Sequence, residues 1–278
     1  MRKLYSALKY VCIVALVISL IALVAVVAYV LINGVDKLSL DLLFGDYKDT
    51  PSILPAFIGT LQLVGIAAII AVPIGVASAI FLVEYTNNKG KFVKTVQVAT
   101  ETLAGIPSIV YGLFGYLIFV VTFGWGYSML AGGITLAIMI LPTIVRSTQE
   151  SLLSVQSGLR EGAYALGTSK VRTIFKIVLP SAAGGIVTAI ILAIGRVVSE
   201  SAVLLLTINM VVNKVPETLM SPGTSLALDI YYFASHGYPD EAAATAVVLL
   251  VFVMILNLLA GFIGNLIEKS TYGDSAKA

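Results

Sequence analysis

The chain has 278 residues, of which 59% are hydrophobic and only 12% are charged, and its mean hydropathy is +1.01. This composition excludes an ordinary soluble domain and is typical of an integral membrane protein. The single cysteine, Cys12, excludes a disulfide framework and a thiolate metal site, while the net charge of +2 carries little information as a total.

Six apolar stretches are long enough to cross a bilayer as helices, which takes about 20 residues. They cover residues 11–32, 57–83, 101–123, 129–145, 182–206 and 242–267. Because the first stretch is longer than a signal-peptide core and lacks a small-residue cleavage site, we expect it to be retained. Pro73 and Pro107 should bend the second and third stretches.

Lysine and arginine are distributed unevenly between the connecting segments. One side holds Arg2, Lys3, Lys9, Lys89, Lys91, Lys94, Arg146, Arg160, Lys170, Arg172, Lys176, Lys269 and Lys277, and the other holds Lys37, Lys48 and Lys214. The side rich in positive charge is expected to be cytoplasmic. We therefore predict an all-α integral membrane protein with about six transmembrane helices and with both termini in the cytoplasm.

This topology predicts three parts. Residues 1–56 form a first transmembrane helix and an outer loop that carries Asp36, Asp41, Asp46 and Asp49. Residues 57–267 form a transmembrane core that includes a cytoplasmic segment at 158–180, and residues 268–278 form a cytoplasmic tail. The expected location is the cell membrane, which the chain crosses several times.

The stretch from Glu161 to Pro180 is a charged interruption between two apolar spans. Its periodicity predicts an amphipathic helix with Arg160, Arg172 and Lys176 on the wetter sides and with Ala163, Leu166, Lys170, Val171, Ile174, Phe175 and Val178 on one face. Gly167 should divide it as the C-cap of a first short helix, with Thr168 or Ser169 capping a second. Such a projection fits a groove on a soluble partner, although an amphipathic helix can also lie on lipid headgroups.

The same stretch resembles a family signature. Glu161, Ala163, Gly167, Ile177, Leu179 and Pro180 match the pattern EAA-x3-G-x9-I-x-L-P of ABC-importer permeases, with Gly162 where the family usually has alanine. The resemblance implies the type I importer permease fold and a coupling helix that binds an ATPase, carried by Glu161, Gly162, Ala163, Leu166 and Gly167. It also implies as partners two copies of the ATPase subunit, a second homologous permease and an extracytoplasmic binding protein.

Arg196 lies near the middle of the fifth apolar stretch, and Glu200 follows one helical turn later. A charge at bilayer depth costs roughly 2.5–3.5 kcal/mol on insertion scales, so such residues usually face a partner helix or a water-filled path. A stripe of small residues on the same helix would let another backbone approach: Ser181, Gly185, Ala189, Ala193 and Ser201. Two interpretations stay open, namely that Arg196 and Glu200 line a translocation path, or that they form only an intrahelical ion pair.

Further stretches resemble the phosphate-importer branch of these permeases: ETLAGIPSIVYG at 101–112, LAIMILPTIVRSTQESL at 136–152 and GRVVSESAVLLLT at 195–207. Against the branch motif GRAxGET, Arg196 and Glu200 match, whereas Val197, Ser199 and Ser201 depart. The resemblance implies phosphate as substrate, with Arg196 binding the anion and Glu200 holding Arg196 or weakening the binding. The PstA type of subunit fits better than the sister PstC type, and a permease for another oxyanion or small solute stays possible.

The sequence contains no plausible nucleotide-binding or catalytic motif. The only Gly-Lys pair, Gly90-Lys91, lacks the glycine spacing of a P-loop, and His236 is the sole histidine. We therefore expect a transporter subunit without catalytic residues, metal, cofactor or nucleic-acid partner, whose ATP is hydrolysed by another chain. A secondary transporter is the less favoured alternative, because it should show an internal repeat between the two halves of the sequence, and no convincing repeat is seen here.

Overall fold

The structure is a computed structural model that describes residues 2–45, 47, 51–86 and 90–272. Regular structure in these residues is helical throughout. The α-helices are α1 (Arg2–Gly34), α2 (Leu40–Phe44), α3 (Leu54–Ile80), α4 (Lys91–Ala104), α5 (Ser108–Gly115), α6 (Met129–Leu153), α7 (Ser157–Ala165), α8 (Lys170–Thr173), α9 (Leu179–Val198), α10 (Ala202–Thr207), α11 (Leu226–Ser235) and α12 (Pro239–Tyr272). Tighter or wider helical turns lie at Val35–Lys37, Phe81–Tyr85, Tyr116–Thr122 and Ile174–Val178. The expected loop charges Asp46, Lys48, Asp49 and Lys89 and tail residues 273–278 lie outside the described residues.

Five helical runs of the described chain are long and apolar enough to cross a membrane: Lys9–Lys37, Leu54–Tyr85, Met129–Leu153, Lys170–Val198 and Pro239–Ile267. A sixth crossing requires α4 and the run Ser108–Thr122 to count as one bent span. The prediction of about six spans in an all-α membrane fold is therefore confirmed.

The third predicted span is not a straight helix from residue 101. α4 meets the run Ser108–Thr122 at 96°, and the break falls at Gly105 to Pro107. Proline has no N–H to continue the helix, and its ring disfavours helical geometry at the preceding residue, Ile106. Pro107 is accordingly in an extended conformation and becomes the N-cap of α5.

The fifth predicted span also needs correction, because it does not run unbroken to Leu206. α9 ends at Val198, and α10 begins only at Ala202. The Ser199 hydroxyl donates to the carbonyl of Gly195 at 2.9 Å, and serine side chains that bond the backbone in this way compete with helix geometry. At its other end the span begins earlier than predicted, since the helical run continues back to Lys170.

α3 and α6 form the most extensive helix pair of the described chain, and they run parallel to one another. Glycines let the two backbones approach: a Cβ added at Gly75 would lie 2.6 Å from Ile144, and one at Gly133 would lie 2.5 Å from Ile66. The main buried cluster surrounds this pair and takes in residues of α5, α9, α10 and α11. As a result, the carboxyl ends of α3 and α6 lie at the same end of the molecule.

α1 stands apart from this core. It packs on α12, and the most apolar window of its span is 0% buried. A helix that is apolar on all sides and uncovered is suited to lipid. A smaller cluster at the opposite end from α7 joins Leu42 of α2, Ile53, Phe233 of α11 and Ala242 of α12.

Candidate functional site

The segment between α6 and α9 forms two short helices, as predicted. α7 ends where Gly167 takes a left-handed conformation with φ +75°. The Gly167 amide donates to the carbonyl of Tyr164 at 2.9 Å, and the Thr168 amide donates to that of Ala163 at 3.1 Å. This pair of bonds is the Schellman arrangement that closes helix ends. Ser169 occupies the N-cap position of α8, although its side chain makes no capping bond.

Most of the predicted coupling residues lie on an open surface. Ala163 is only 5% exposed and packs against the rest of the chain. The others, Glu161, Gly162, Leu166 and Gly167, are exposed. Leu166 is 87% exposed, the highest value among the large apolar side chains of the described chain. A methyl group at Gly162 would meet no atom within 4 Å, so the alanine usual in the family fits there too.

The predicted single apolar face of this segment is wrong. Ile174 and Val178 are fully buried, whereas Leu166, Val171 and Phe175 are exposed. The break at Gly167 and the wide turn at Ile174–Val178 rotate successive residues away from one regular helical face. The apolar residues therefore divide between the core and the surface.

Arg160 was expected on the wetter side of the helix, and the structure places it inside instead. Its guanidinium donates to Glu84 at the end of the second span, with nitrogen–oxygen distances of 3.0 and 3.2 Å. It also donates to the carbonyls of Leu152 at 2.8 Å and Val155 at 2.9 Å. Periodicity alone could not show this, because the carboxylate partner lies 76 residues away in sequence.

Arg196 lies in the last turn of α9, is exposed, and forms no ion pair with any carboxylate of the described residues. The carbonyl end of a helix favours a cation, which stabilises the guanidinium there. Arg196 is thus available to an anion.

Glu200 does not pair with Arg196, because the helix breaks between them. Glu200 is half-buried, and its Oε1 accepts from the amides of Ala202 at 3.0 Å and Val203 at 3.3 Å. These amides open α10 and have no partner within the helix, so the carboxylate caps it. The structure therefore argues against the intrahelical ion pair that the sequence left open.

The small residues of the stripe on α9 lie in two different environments. Ala193 is buried in the main core, whereas Gly185 borders an open cleft of about 680 Å³ between α6, α9 and α12. Ser151 of α6 and Gly264 of α12 line the same cleft. Ala189 is also buried, and a Cβ added at Gly185 would lie 2.6 Å from Ser151, so at least three of the five stripe residues pack within this chain.

Asp229 is a buried carboxylate in the segment that connects the fifth and sixth apolar stretches. It is fully buried in the first turn of α11, and its Oδ1 accepts from the hydroxyl of Thr224. Its Oδ2 has no hydrogen-bond partner among the described residues. Burial raises the pKa of this carboxyl to about 8, against a smaller lowering by the Thr224 hydrogen bond.

Comparison with known proteins shows which family the chain belongs to. Residues 71–271 match the model of the binding-protein-dependent transport system inner membrane component. The chain is 32% identical to the probable ABC transporter permease protein YqgI of Bacillus subtilis, over 87% of this chain and 88% of that protein. It is 38% identical to phosphate transport system permease protein PstA 1 of Mycobacterium tuberculosis (75% and 69% covered) and 34% identical to PstA of Pasteurella multocida (83% and 84% covered).

Solved structures agree on the fold. A chain of a bacterial alginate ABC transporter, in complex with its pentasaccharide-bound periplasmic protein, superposes with a TM-score of 0.70 at 16% identity, covering 94% of this chain and 95% of that one. A chain of the methionine transporter MetNI, in an inward-facing conformation, gives 0.63 at 19% identity over 75% and 93%. Both share the type I ABC importer permease fold. The chain therefore belongs to the family of binding-protein-dependent transport system inner membrane components, and it is a non-enzymatic, multi-pass permease subunit of an ABC importer.

Proposed function

We propose that this chain is the PstA-type permease subunit of an ATP-driven importer of inorganic phosphate. Residues 57–267 form its transport core, residues 1–56 add the first helix and outer loop, and residues 268–278 form a tail. The termini and α7 face the cytoplasm, as the distribution of lysine and arginine favours.

The observation that carries the phosphate proposal is Arg196, an exposed guanidinium in a transmembrane helix without a counter-charge in the described chain. Its planar fork of donors suits the oxygens of a phosphate. The names of several relatives at 34–38% identity support the same substrate. A PstC-type subunit, or a permease for another small solute, is the second candidate, because chains of similar fold belong to alginate and methionine transporters.

Arg196 and Glu200 have different roles at the break between α9 and α10. Arg196 offers its charge to the passing anion. Glu200 fixes the first turn of α10 beside it, and its negative charge limits how tightly the anion is held. A transport path needs binding that is favourable but weak enough for release.

The exposed face around Leu166 binds the ATPase. Glu161, Gly162 and Leu166 project from α7 at the end of the molecule where α3 and α6 finish. A short helix with an apolar tip fits a groove on a soluble subunit. Two ATPase copies then drive this chain and a second, homologous permease between inward- and outward-open states, while an extracytoplasmic binding protein delivers phosphate.

Uptake of labelled phosphate by proteoliposomes that hold the whole complex tests the substrate. We expect uptake that depends on ATP and on the binding protein, and that an excess of sulfate leaves within about twofold. ATP-dependent uptake of another solute without phosphate uptake would refute the phosphate assignment and leave the family assignment intact.

A further inference from the structure

Arg160 connects three parts of the chain that are distant in sequence. It projects from α7, and its side chain is 19% exposed, while that of its partner Glu84 is 6% exposed. The Nε and one terminal nitrogen donate to Glu84, and the terminal nitrogens also reach the carbonyls of Leu152 and Val155. One side chain thus ties α7 to the carboxyl ends of both α3 and α6.

The chemistry of the contact requires arginine. The last carbonyls of a helix have no partner within it, and Arg160 satisfies that of Leu152 while it also neutralises a buried carboxylate. The guanidinium presents five donors in a rigid fork, whereas a lysine ammonium is a single point charge that cannot span these acceptors. An exposed ion pair nearby, Arg146 with Glu101, has side chains 55% and 58% exposed and lacks this enclosure.

The second short helix is attached at the same place. The Nζ of Lys170 in α8 lies 4.8 Å above the ring of Tyr85, the residue next to Glu84. Both helices of the segment are thus held at the end of α3, while the tip at Leu166 stays uncovered. Because α3 and α6 pack closely along their length, we expect a displacement of α7 to act on that pair as a unit.

We propose that the Arg160–Glu84 pair, with the carbonyls of Leu152 in α6 and of Val155 just beyond it, is the joint that transmits movement of the coupling segment, residues 158–180, to the transmembrane helices α3 and α6. Arg160 and Glu84 are positioning residues, and neither needs to touch phosphate or the ATPase. The proposal rests on the proposed ATPase-binding role of α7. It assigns to this chain a step between ATPase docking and opening of the path.

The test compares Glu84→Gln and Arg160→Gln with the exposed-pair control Glu101→Gln in the reconstituted complex. Uptake and ATP hydrolysis are measured in the same proteoliposomes, and their ratio gives the coupling. We expect the two joint variants to keep their ATPase subunits and to lower the ratio of uptake to hydrolysis about tenfold, with the control unchanged. A natural ratio in an assembled joint variant would overturn the proposal.

A separate variant distinguishes failure of the joint from failure of the docking role. Leu166→Glu should lose the ATPase on co-purification, while Leu219→Glu, at a 49% exposed leucine between α10 and α11, should retain it. If Leu166→Glu retains the ATPase, the docking role is wrong. If it loses the ATPase and the joint variants stay fully coupled, only the joint is wrong.

A distance measurement decides the case even where a joint variant does not assemble. Cys12 is the chain's only cysteine, so Cys12→Ser gives a background for spin labels at Gly158→Cys on α7 and Ile74→Cys on α3, both exposed positions. In the purified chain, we expect Glu84→Gln to broaden the distance distribution between the labels. The same narrow distribution with and without the carboxylate would overturn the joint.

Discussion

Glu200 illustrates how one side chain can set the local geometry at the break between α9 and α10. Its carboxylate accepts from the first two amides of α10, so removing it leaves two donors without a partner. We predict that Glu200→Ala lowers the free energy of unfolding by about 1 kcal/mol, as loss of a helix cap does. Glu200→Gln keeps an acceptor oxygen and should preserve most of that stability while it removes the charge.

Thermal unfolding in detergent and phosphate uptake separate these two effects. If the charge weakens anion binding, Glu200→Gln alters the concentration dependence of uptake at nearly natural stability. Equal unfolding curves for Glu200→Ala and the natural chain would refute the capping role.

Asp229 should make the stability of the folded chain decrease as the pH rises. Burial raises the pKa of Asp229 to about 8 in the folded chain, whereas the ordinary pKa of an aspartate, 3.8, applies in the unfolded chain. Between these two pH values the folded chain keeps a proton that the unfolded chain has released. The stabilisation is therefore complete below that ordinary value and is lost as the pH rises through about 8.

We predict that the melting temperature of the natural chain falls by several degrees between about pH 5 and about pH 8, and that Asp229→Asn flattens this dependence. Asparagine keeps an acceptor for Thr224 and carries no charge, so folding should survive. An identical pH profile for the variant would show that other groups cause the dependence.

The sequence predicts some of these residues and not others, for a physical reason. A lone arginine in an apolar span is conspicuous because the bilayer penalises charge, so Arg196 is predictable without a structure. Arg160 lies in a polar stretch where charge is ordinary, and Asp229 lies in an apolar run that is too short to cross a bilayer, so the penalty that marks Arg196 does not apply there. Their burial depends on α3, α6 and α11 packing around them, which no local pattern records.

At the level of elements, two of the three glycines in the coupling segment have opposite requirements. Gly167 has φ +75°, where a side chain is strained, whereas Gly162 lies within α7 with open space around it. We predict that Gly167→Ala destabilises the segment by roughly 1–2 kcal/mol. Gly162→Ala should stabilise α7 by up to about 1 kcal/mol, because alanine is the better helix former.

Hydrogen exchange of the α7 amides and co-purification of the ATPase check both variants. Faster exchange and weaker ATPase retention are expected for Gly167→Ala alone. Equal behaviour of the two alanine variants would mean that the left-handed turn does not maintain the segment.

Helix positions were more predictable than helix breaks. Each span follows from the number of apolar residues that a bilayer requires, and the six stretches all correspond to helices. The bend at Pro107 was also predicted, because proline is a local signal. The break at Ser199 to Ser201 was missed, since it depends on a serine–backbone bond and a carboxylate cap in a stretch that is otherwise apolar.

At the level of the whole molecule, apolar surface remains uncovered on α1 and on the tip of the coupling segment. The two surfaces differ in chemistry. That of α1 is long and apolar on all sides, as contact with lipid requires, while that of α7 is short and mixes Leu159, Tyr164 and Leu166 with polar residues. A subunit that binds a membrane on one surface and a soluble partner on another accounts for both.

Phosphate uptake by complexes that carry Arg196→Gln tests most directly whether the anion passes this side chain. Glutamine keeps hydrogen-bond donors but lacks the charge and the fork. We predict that uptake falls at least about tenfold, as expected for loss of a hydrogen bond to a charged group, while assembly and ATP hydrolysis persist. Phosphate uptake at the natural rate by the assembled variant would contradict the assignment of Arg196 to the path.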